Sequence, residues 1–159
     1  MQRTALFPGS FDPFTRGHAA VVDEALALFD RVVIAVGHNV AKRGLLSIDA
    51  RRRLIEQLYS GEPRVEVSVY STLTGDEARR VGACAIIRSV RTAADFEYER
   101  TIAQANRRLF PELSSVLLMV SPELADISSS LVRELMAFGR SVDDLMPEGI
   151  RIENYLTNE

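Results

Sequence analysis

The residues best placed to do chemistry lie in one early loop, Phe7-Pro8-Gly9-Ser10-Phe11-Asp12-Pro13-Phe14, which ends in Thr15-Arg16-Gly17-His18. An apolar run precedes it, and Val21, Val22, Ala25, Leu26 and Phe29 follow at helical spacing, so the loop reads as a strand-to-helix turn. Turns of this kind hold phosphate. Glycines let backbone approach a ligand closely, and a helix starting near Gly17 points free N–H groups and its positive dipole end back into the loop. The loop has neither the lysine of a P-loop nor the spacing of a dinucleotide fingerprint, so other residues must supply the charge. An imidazole in the first helical turn is placed to stabilise charge developing on phosphorus, although on spacing alone His18 reads equally as a helix cap.

Further candidates follow later strands. The chain has 19 basic residues, and Lys42 is the only lysine, in a loop with Arg43 and Gly44. Lysine is a flexible point charge suited to a mobile phosphate. Arg88-Ser89-Val90-Arg91 follows an apolar run, as does Leu73-Thr74. Asp126-Ile127-Ser128-Ser129-Ser130 feeds a helix with more hydroxyls than one cap needs, which makes it a second anion cradle or a cap. Glu99, one turn into a helix, suits either the helix dipole or a ligand. His38 reads as a solvated loop residue, Arg51-Arg52-Arg53 as a solvated helix face, and Cys84 as a buried packing residue.

The elements that must position these residues follow from periodicity. Strands are expected at Thr4–Phe7, Arg31–Val36, Val65–Val69, Cys84–Arg88 and Ser115–Val120. Helical patterns lie between them, from Ser47-Asp49 onward, over Asp76–Gly82, over Ala94–Leu109 and after Ser130, with a last amphipathic segment beyond Pro147. Such alternation implies right-handed βαβ units and an α/β fold with a doubly wound, five-stranded parallel sheet. Ligands then bind beyond the carboxyl ends of the strands, the edge that gathers all the loops named above.

Composition sets the outer limits. A length of 159 residues with 47% hydrophobic content suits a single domain, residues 1–159. A formal charge of -3 argues against nucleic acid as partner. One cysteine leaves no internal disulfide and no cysteine-based metal cluster. With no apolar run of membrane-spanning length and no signal-peptide pattern, the expected location is the cytoplasm.

Gly9-Ser10-Phe11-Asp12-Pro13-Phe14-Thr15-x-Gly17-His18, Lys42, Arg88-x-x-Arg91, Ala94-Asp95-Phe96-Glu97-Tyr98-Glu99 and Ile127-Ser128-Ser129-Ser130 together resemble the bacterial phosphopantetheine adenylyltransferase family, in order, from about Ala5 to Pro147. The resemblance implies a Rossmann-like enzyme joining ATP to 4'-phosphopantetheine, with dephospho-coenzyme A and pyrophosphate as products. By position, His18 would stabilise the transition state and Ser10 would contact phosphate of either substrate. Lys42, Arg88 and Thr74 would hold phosphopantetheine. Phe11, Ser89, Val90, Arg91, Glu99 and Leu124, Ala125, Asp126, Ile127, Ser128, Ser129 and Ser130 would form the ATP site together with His18. The resemblance also implies a homohexamer and coenzyme A as feedback ligand. The family commonly has Gly at Ser89, Pro at Gly44, a large apolar residue at Thr74 and an aromatic at Leu124. The acceptor phosphate is already mostly a dianion at neutral pH, its second pKa being about 6, so no general base is required. No carboxylate cluster of metal-ligand type is present, so Mg²⁺ is expected to ride on the ATP phosphates. Two other readings compete: a related nucleotidyltransferase with another phosphate acceptor, and a non-catalytic nucleotide sensor. The Ala-Asp-Phe-Glu-Tyr-Glu stretch disfavours the first, and the joint presence of His18, Lys42, Arg88 and Arg91 disfavours the second.

Overall fold

The apolar runs become strands of one sheet. The computed structural model describes residues 2–38 and 44–156, in the order β1 (Thr4–Gly9), α1 (Arg16–Leu28), β2 (Arg31–Gly37), α2 (Ile48–Leu58), β3 (Val65–Tyr70), α3 (Thr74–Arg80), β4 (Ala85–Val90), α4 (Ala93–Leu109), β5 (Ser114–Met119) and α5 (Ser129–Ala137). The strands pair in the order β3-β2-β1-β4-β5, each pair parallel, which is the doubly wound Rossmann-like arrangement. The central strands alternate between two cores. Ala5, Phe7, Val32, Ile34 and Val36 face α1, α2 and the C-terminal segment, while Leu6, Val33, Ala35 and Ile86 face Ala78, Phe110 and Leu113.

The chain reverses its winding between β1 and β4, and there the sheet opens. β1 pairs with β2 over its whole length, from Thr4 to Gly9, but with β4 only at Ala5 and Leu6. Beyond Leu6 the two strands part. Strand β1 therefore runs two residues further than the apolar pattern suggests, through Pro8, which has no N–H and lies where pairing with β4 has already ended.

Several expectations shift. Helix α3 begins at Thr74 rather than Asp76, because Gly75 lets the backbone pass against the Phe110 ring. The segment after Pro147 forms a short 3₁₀ turn, Ile152–Tyr155, rather than an α-helix, yet it still buries Ile150, Ile152 and Tyr155. Cys84 is exposed, not buried: it precedes β4 at the amino edge of the sheet, and its thiol donates to the Thr4 carbonyl at 3.3 Å. The arginine triplet divides. Arg52 and Arg53 pair with Asp49 on the surface, whereas Arg51 is 8% exposed and points inward. His38 is exposed, as expected.

A methyl group on Gly75 would overlap the Phe110 ring, which is 5% exposed and held under the Arg79 guanidinium at 4.6 Å from its centroid. Ala gains about 1 kcal/mol over Gly in helix propensity, but overpacking a fixed ring costs about 1–3 kcal/mol. We expect Gly75→Ala to be net destabilising in urea denaturation.

Candidate active site

Two adjoining hollows occupy the opening between β1 and β4. The first, about 230 Å³, is lined by Thr15, Gly17, Arg91, Val120, Ile127, Ser128, Ser130 and Arg133 together with Ser10, His18, Ser89 and Ser129. The second, about 220 Å³, shares those last four residues and adds Phe7, Pro8, Gly9, Phe11, Arg88 and Glu99. His18 thus stands on the common wall.

Local bonding explains how His18 is held. Thr15 is the N-cap of α1, and its backbone N–H donates to His18 Nδ1 at 2.9 Å. An N–H can only donate, so Nδ1 is the acceptor and the neutral ring carries its proton on Nε2. The cap uses Nδ1 alone, so the two uses that are alternatives in the sequence are compatible in one residue, with Nε2–H left as a donor. Around the ring pack Phe7, Phe11 and Phe14, at centroid distances of 6.3, 5.1 and 5.2 Å. Burial in this setting, reinforced by the Arg91 guanidinium, lowers the His18 pKa from 6.5 to about 4, so the ring presents a neutral N–H donor at pH 7.

The three serines at the start of α5 have separate tasks. Ser128 is the cap, accepting from the Leu131 N–H at 3.1 Å; Ser129 donates to the Pro13 carbonyl at 2.8 Å; Ser130 accepts from Arg133 Nη2 at 3.1 Å. Ser129 thereby ties the second polar turn to the first loop. The N-termini of α1 and α5 meet at the first hollow, and both dipoles favour an anion there.

The cations are held before any ligand arrives. Arg88 forms a bidentate pair with Glu99 at 2.8 and 2.9 Å and donates to the Pro8 carbonyl at 3.3 Å, an oxygen beyond the last β1–β4 pair. Glu99 is 7% exposed, and its role in the structure is to orient Arg88. Arg91 pairs with Asp95 at 3.4 Å and reaches the Ile127 carbonyl.

Most of the residues marked in the sequence converge here. Ser10, Phe11, His18, Arg88, Ser89, Arg91, Glu99, Ile127, Ser128, Ser129 and Ser130 line one hollow or both. Val90, Leu124, Ala125 and Asp126 line neither; Val90 is a core residue, 1% exposed. Thr74 also lines neither, and its hydroxyl lies 3.1 Å from that of Tyr70. Lys42 lies outside the described residues. Arg133 was not marked in the sequence. Its signal is the spacing from Ser129 and Ser130, which puts it one turn along α5 on the side of the helix N-terminus.

A doubly wound sheet with two arginine- and hydroxyl-lined hollows at its switch point, and a histidine between them, is the kind of site a nucleotidyltransferase requires. In agreement, residues 6–135 match the cytidylyltransferase-like family model. The chain is 50% identical over 149 residues to the phosphopantetheine adenylyltransferase of Porphyromonas gingivalis, covering 94% of this chain and 97% of that protein. It is 48% identical over 151 residues to the one from Phocaeicola vulgatus, covering 95% and 99%. The chain belongs to the phosphopantetheine adenylyltransferase family. A solved structure of a bifunctional NMN adenylyltransferase/ADP ribose pyrophosphatase from Francisella tularensis, complexed with AMP and a manganese ion, shares the fold with a TM-score of 0.69 at 18% identity. The match covers 96% of this chain but 46% of that one.

The imidazole makes a pH prediction. Between pH 6.5 and about 4 the unfolded chain binds a proton at this site and the folded one does not, so the contribution of His18 to stability is complete above pH 6.5 and lost as pH falls toward 4. NMR titration should show the His18 imidazole titrating at about 4 rather than 6.5. Thermal melts from pH 7 to 4.5 should fall more steeply for the native protein than for His18→Gln.

Proposed function

We propose that the protein transfers the adenylyl group of ATP to 4'-phosphopantetheine, forming dephospho-coenzyme A and pyrophosphate. The observation that supports this most directly is the position of His18 on the wall between two anion hollows, in a chain of this family. The first hollow takes the ATP phosphates, on Arg91, Arg133, the Ser128, Ser129 and Ser130 turn and two helix N-termini. The second takes the acceptor phosphate on Arg88 and Ser10, with Lys42 and Thr74 as further acceptor contacts. Ser89 and Ile127 also line the ATP hollow; of the other ATP-site residues the resemblance implies, Phe11 and Glu99 line the second hollow, Glu99 acting through Arg88, and Val90, Leu124, Ala125 and Asp126 would reach the nucleotide only beyond the two hollows.

The chemistry needs no base. An oxygen of the acceptor dianion attacks the α-phosphorus of ATP in line; the new P–O bond forms as the bond to the bridging α,β oxygen breaks, and pyrophosphate leaves with the electron pair. The protein's work is to hold two polyanions in contact and to meet the charge that builds on the α-phosphate oxygens. The Nε2–H of His18, on the wall shared by the two hollows, would serve that task.

Among the described residues no group of three or more His, Cys, Asp or Glu is placed to hold a metal ion, and Glu99 is committed to Arg88. An Mg²⁺ ion carried on the ATP phosphates would need no cage from the protein, and no step is assigned to it. Coenzyme A, which carries the same pantetheine phosphate chemistry, would compete as feedback ligand. The homohexamer implied by the resemblance needs an apolar contact surface, and α4, where Phe96, Tyr98 and Leu109 are 44, 62 and 59% exposed, with Met119 on edge strand β5 at 65%, would supply one. A cytoplasmic location fits a chain in which no described helix is long and apolar enough to cross a membrane.

A pyrophosphate-release assay with ATP and a panel of acceptors tests the reading. Phosphopantetheine should be used in preference to nicotinamide mononucleotide, and His18→Ala should lower kcat on the order of 10²-fold or more, as for loss of an oxyanion donor. ATP binding without pyrophosphate release would mark a sensor instead. For Lys42→Ala we expect a raised KM for phosphopantetheine with the KM for ATP little changed. A loss confined to ATP would assign that lysine to the other hollow.

A further inference from the structure

Arg51 and Asp12 form a buried pair that lines neither hollow. Their side chains are 9 and 8% exposed, with Arg51 Nε 3.3 Å from Asp12 Oδ1. Arg51 uses its fork on three acceptors at once: the Asp12 carboxylate, the Leu46 carbonyl at 3.0 Å and the Ser10 carbonyl at 3.1 Å. The Asp12 carboxylate also accepts the Leu45 and Leu46 N–H groups, at 2.8 Å each. A buried ion pair is a weak device for stability alone, because desolvation consumes most of its attraction. What this one supplies is direction, since a planar guanidinium fixes each acceptor it touches.

The segment so fixed is the Ser10–Asp12 turn. Phe11 at its centre has φ of +47°, the left-handed region that a bulky side chain avoids unless its surroundings impose it. They do so from both sides, with Arg51 on the Ser10 carbonyl and Arg133 Nη1 on the Asp12 carbonyl at 2.7 Å. This backbone turns the Phe11 ring back over Gly9, where any Cβ would sit 2.8 Å from a ring carbon. The same ring meets His18 edge to face, at 5.1 Å and 88°. A continuous set of contacts therefore runs from Arg51 through the turn to the imidazole.

We propose that Asp12 and Arg51 are positioning residues for adenylyl transfer, holding the Ser10–Asp12 turn in the form that presents Ser10 and His18 to the reacting phosphates. The proposal rests on the functional reading above, but part of its test does not. Arg51→Lys keeps the charge and removes the fork. In the folded variant kcat should fall by roughly 10- to 100-fold, the size of effect expected when reacting groups are displaced by about 1 Å. The KM for ATP should change by less than about 3-fold, because Arg91 and Arg133 remain. The His18 imidazole resonance of the substrate-free protein should also move, as the Phe11 ring shifts against it. A folded variant with native kcat and an unmoved His18 resonance overturns the proposal, as does a lowered melting temperature with unchanged kcat per folded molecule. Should Arg51→Lys fail to fold, Asp12→Asn, of the same shape without the charge, is held to the same outcomes. Failure of both to fold would make the pair purely structural and end the proposal. If the native protein itself releases no pyrophosphate, the functional reading falls, and the His18 resonance in Arg51→Lys still decides the positioning role.

Discussion

Everything at the active site depends on the parting of β1 from β4 after Leu6. In a parallel sheet neighbouring strands normally satisfy each other's backbone groups to their ends, and a strand that leaves its partner early exposes carbonyls that need donors. Here the Pro8 carbonyl receives Arg88, a residue of β4 itself, so a side chain takes over where the ladder stops. The missing N–H of Pro8 falls in the same gap. The opening is thus made by two residues that tolerate it, and the cation that bridges it becomes part of the site.

A site for two polyanions needs several positive groups close together, and these repel one another and wander unless fixed. The structure meets this by giving each described arginine of the site an oxygen partner of its own: Glu99 for Arg88, Asp95 for Arg91, and the Asp12 carbonyl with Ser130 for Arg133. Partial neutralisation lowers the mutual repulsion, and fixed direction reduces what must be reorganised when phosphates bind. Glu99 shows the logic well. A nearly buried acid would be expensive unpaired, and the bidentate bond both satisfies it and holds the guanidinium in one plane.

The sequence carried the sheet and most of the site because both rest on local patterns. Continuous apolar runs such as Arg31–Gly37 become strands covered on both faces, and Ser47, Thr92 and Ser128 sit where N-caps belong. What it hid depends on contacts between distant segments. Arg51 sits among neighbours that read as a solvated helix face, and only its partner Asp12, far away in sequence, makes its burial affordable. Cys84 belongs to an apolar run but falls just before its strand begins, at the edge of the sheet. Arg133 is one more helical arginine until Ser129 reaches the Pro13 carbonyl and brings α5 against the first loop. That the Thr15 N–H takes up Nδ1 and leaves the ring proton on Nε2 was equally invisible, since the spacing of Thr15 and His18 is consistent with either use of the ring.

That arrangement bears on how the imidazole acts. Its cap bond keeps Nδ1 occupied as an acceptor, so a second proton cannot enter the ring without losing the Thr15 N–H, a cost added to desolvation and to Arg91. An imidazolium would also attract ground-state phosphates at long range, and the part of its binding common to both states does not speed the chemical step. A neutral Nε2–H interacts weakly with a distant anion and strongly with an oxygen at hydrogen-bond distance on which charge is growing. In the proposed reaction the arginines, with their long-range charge, would gather the substrates, and the short-range donor between them would be left to distinguish the transition state from the ground state.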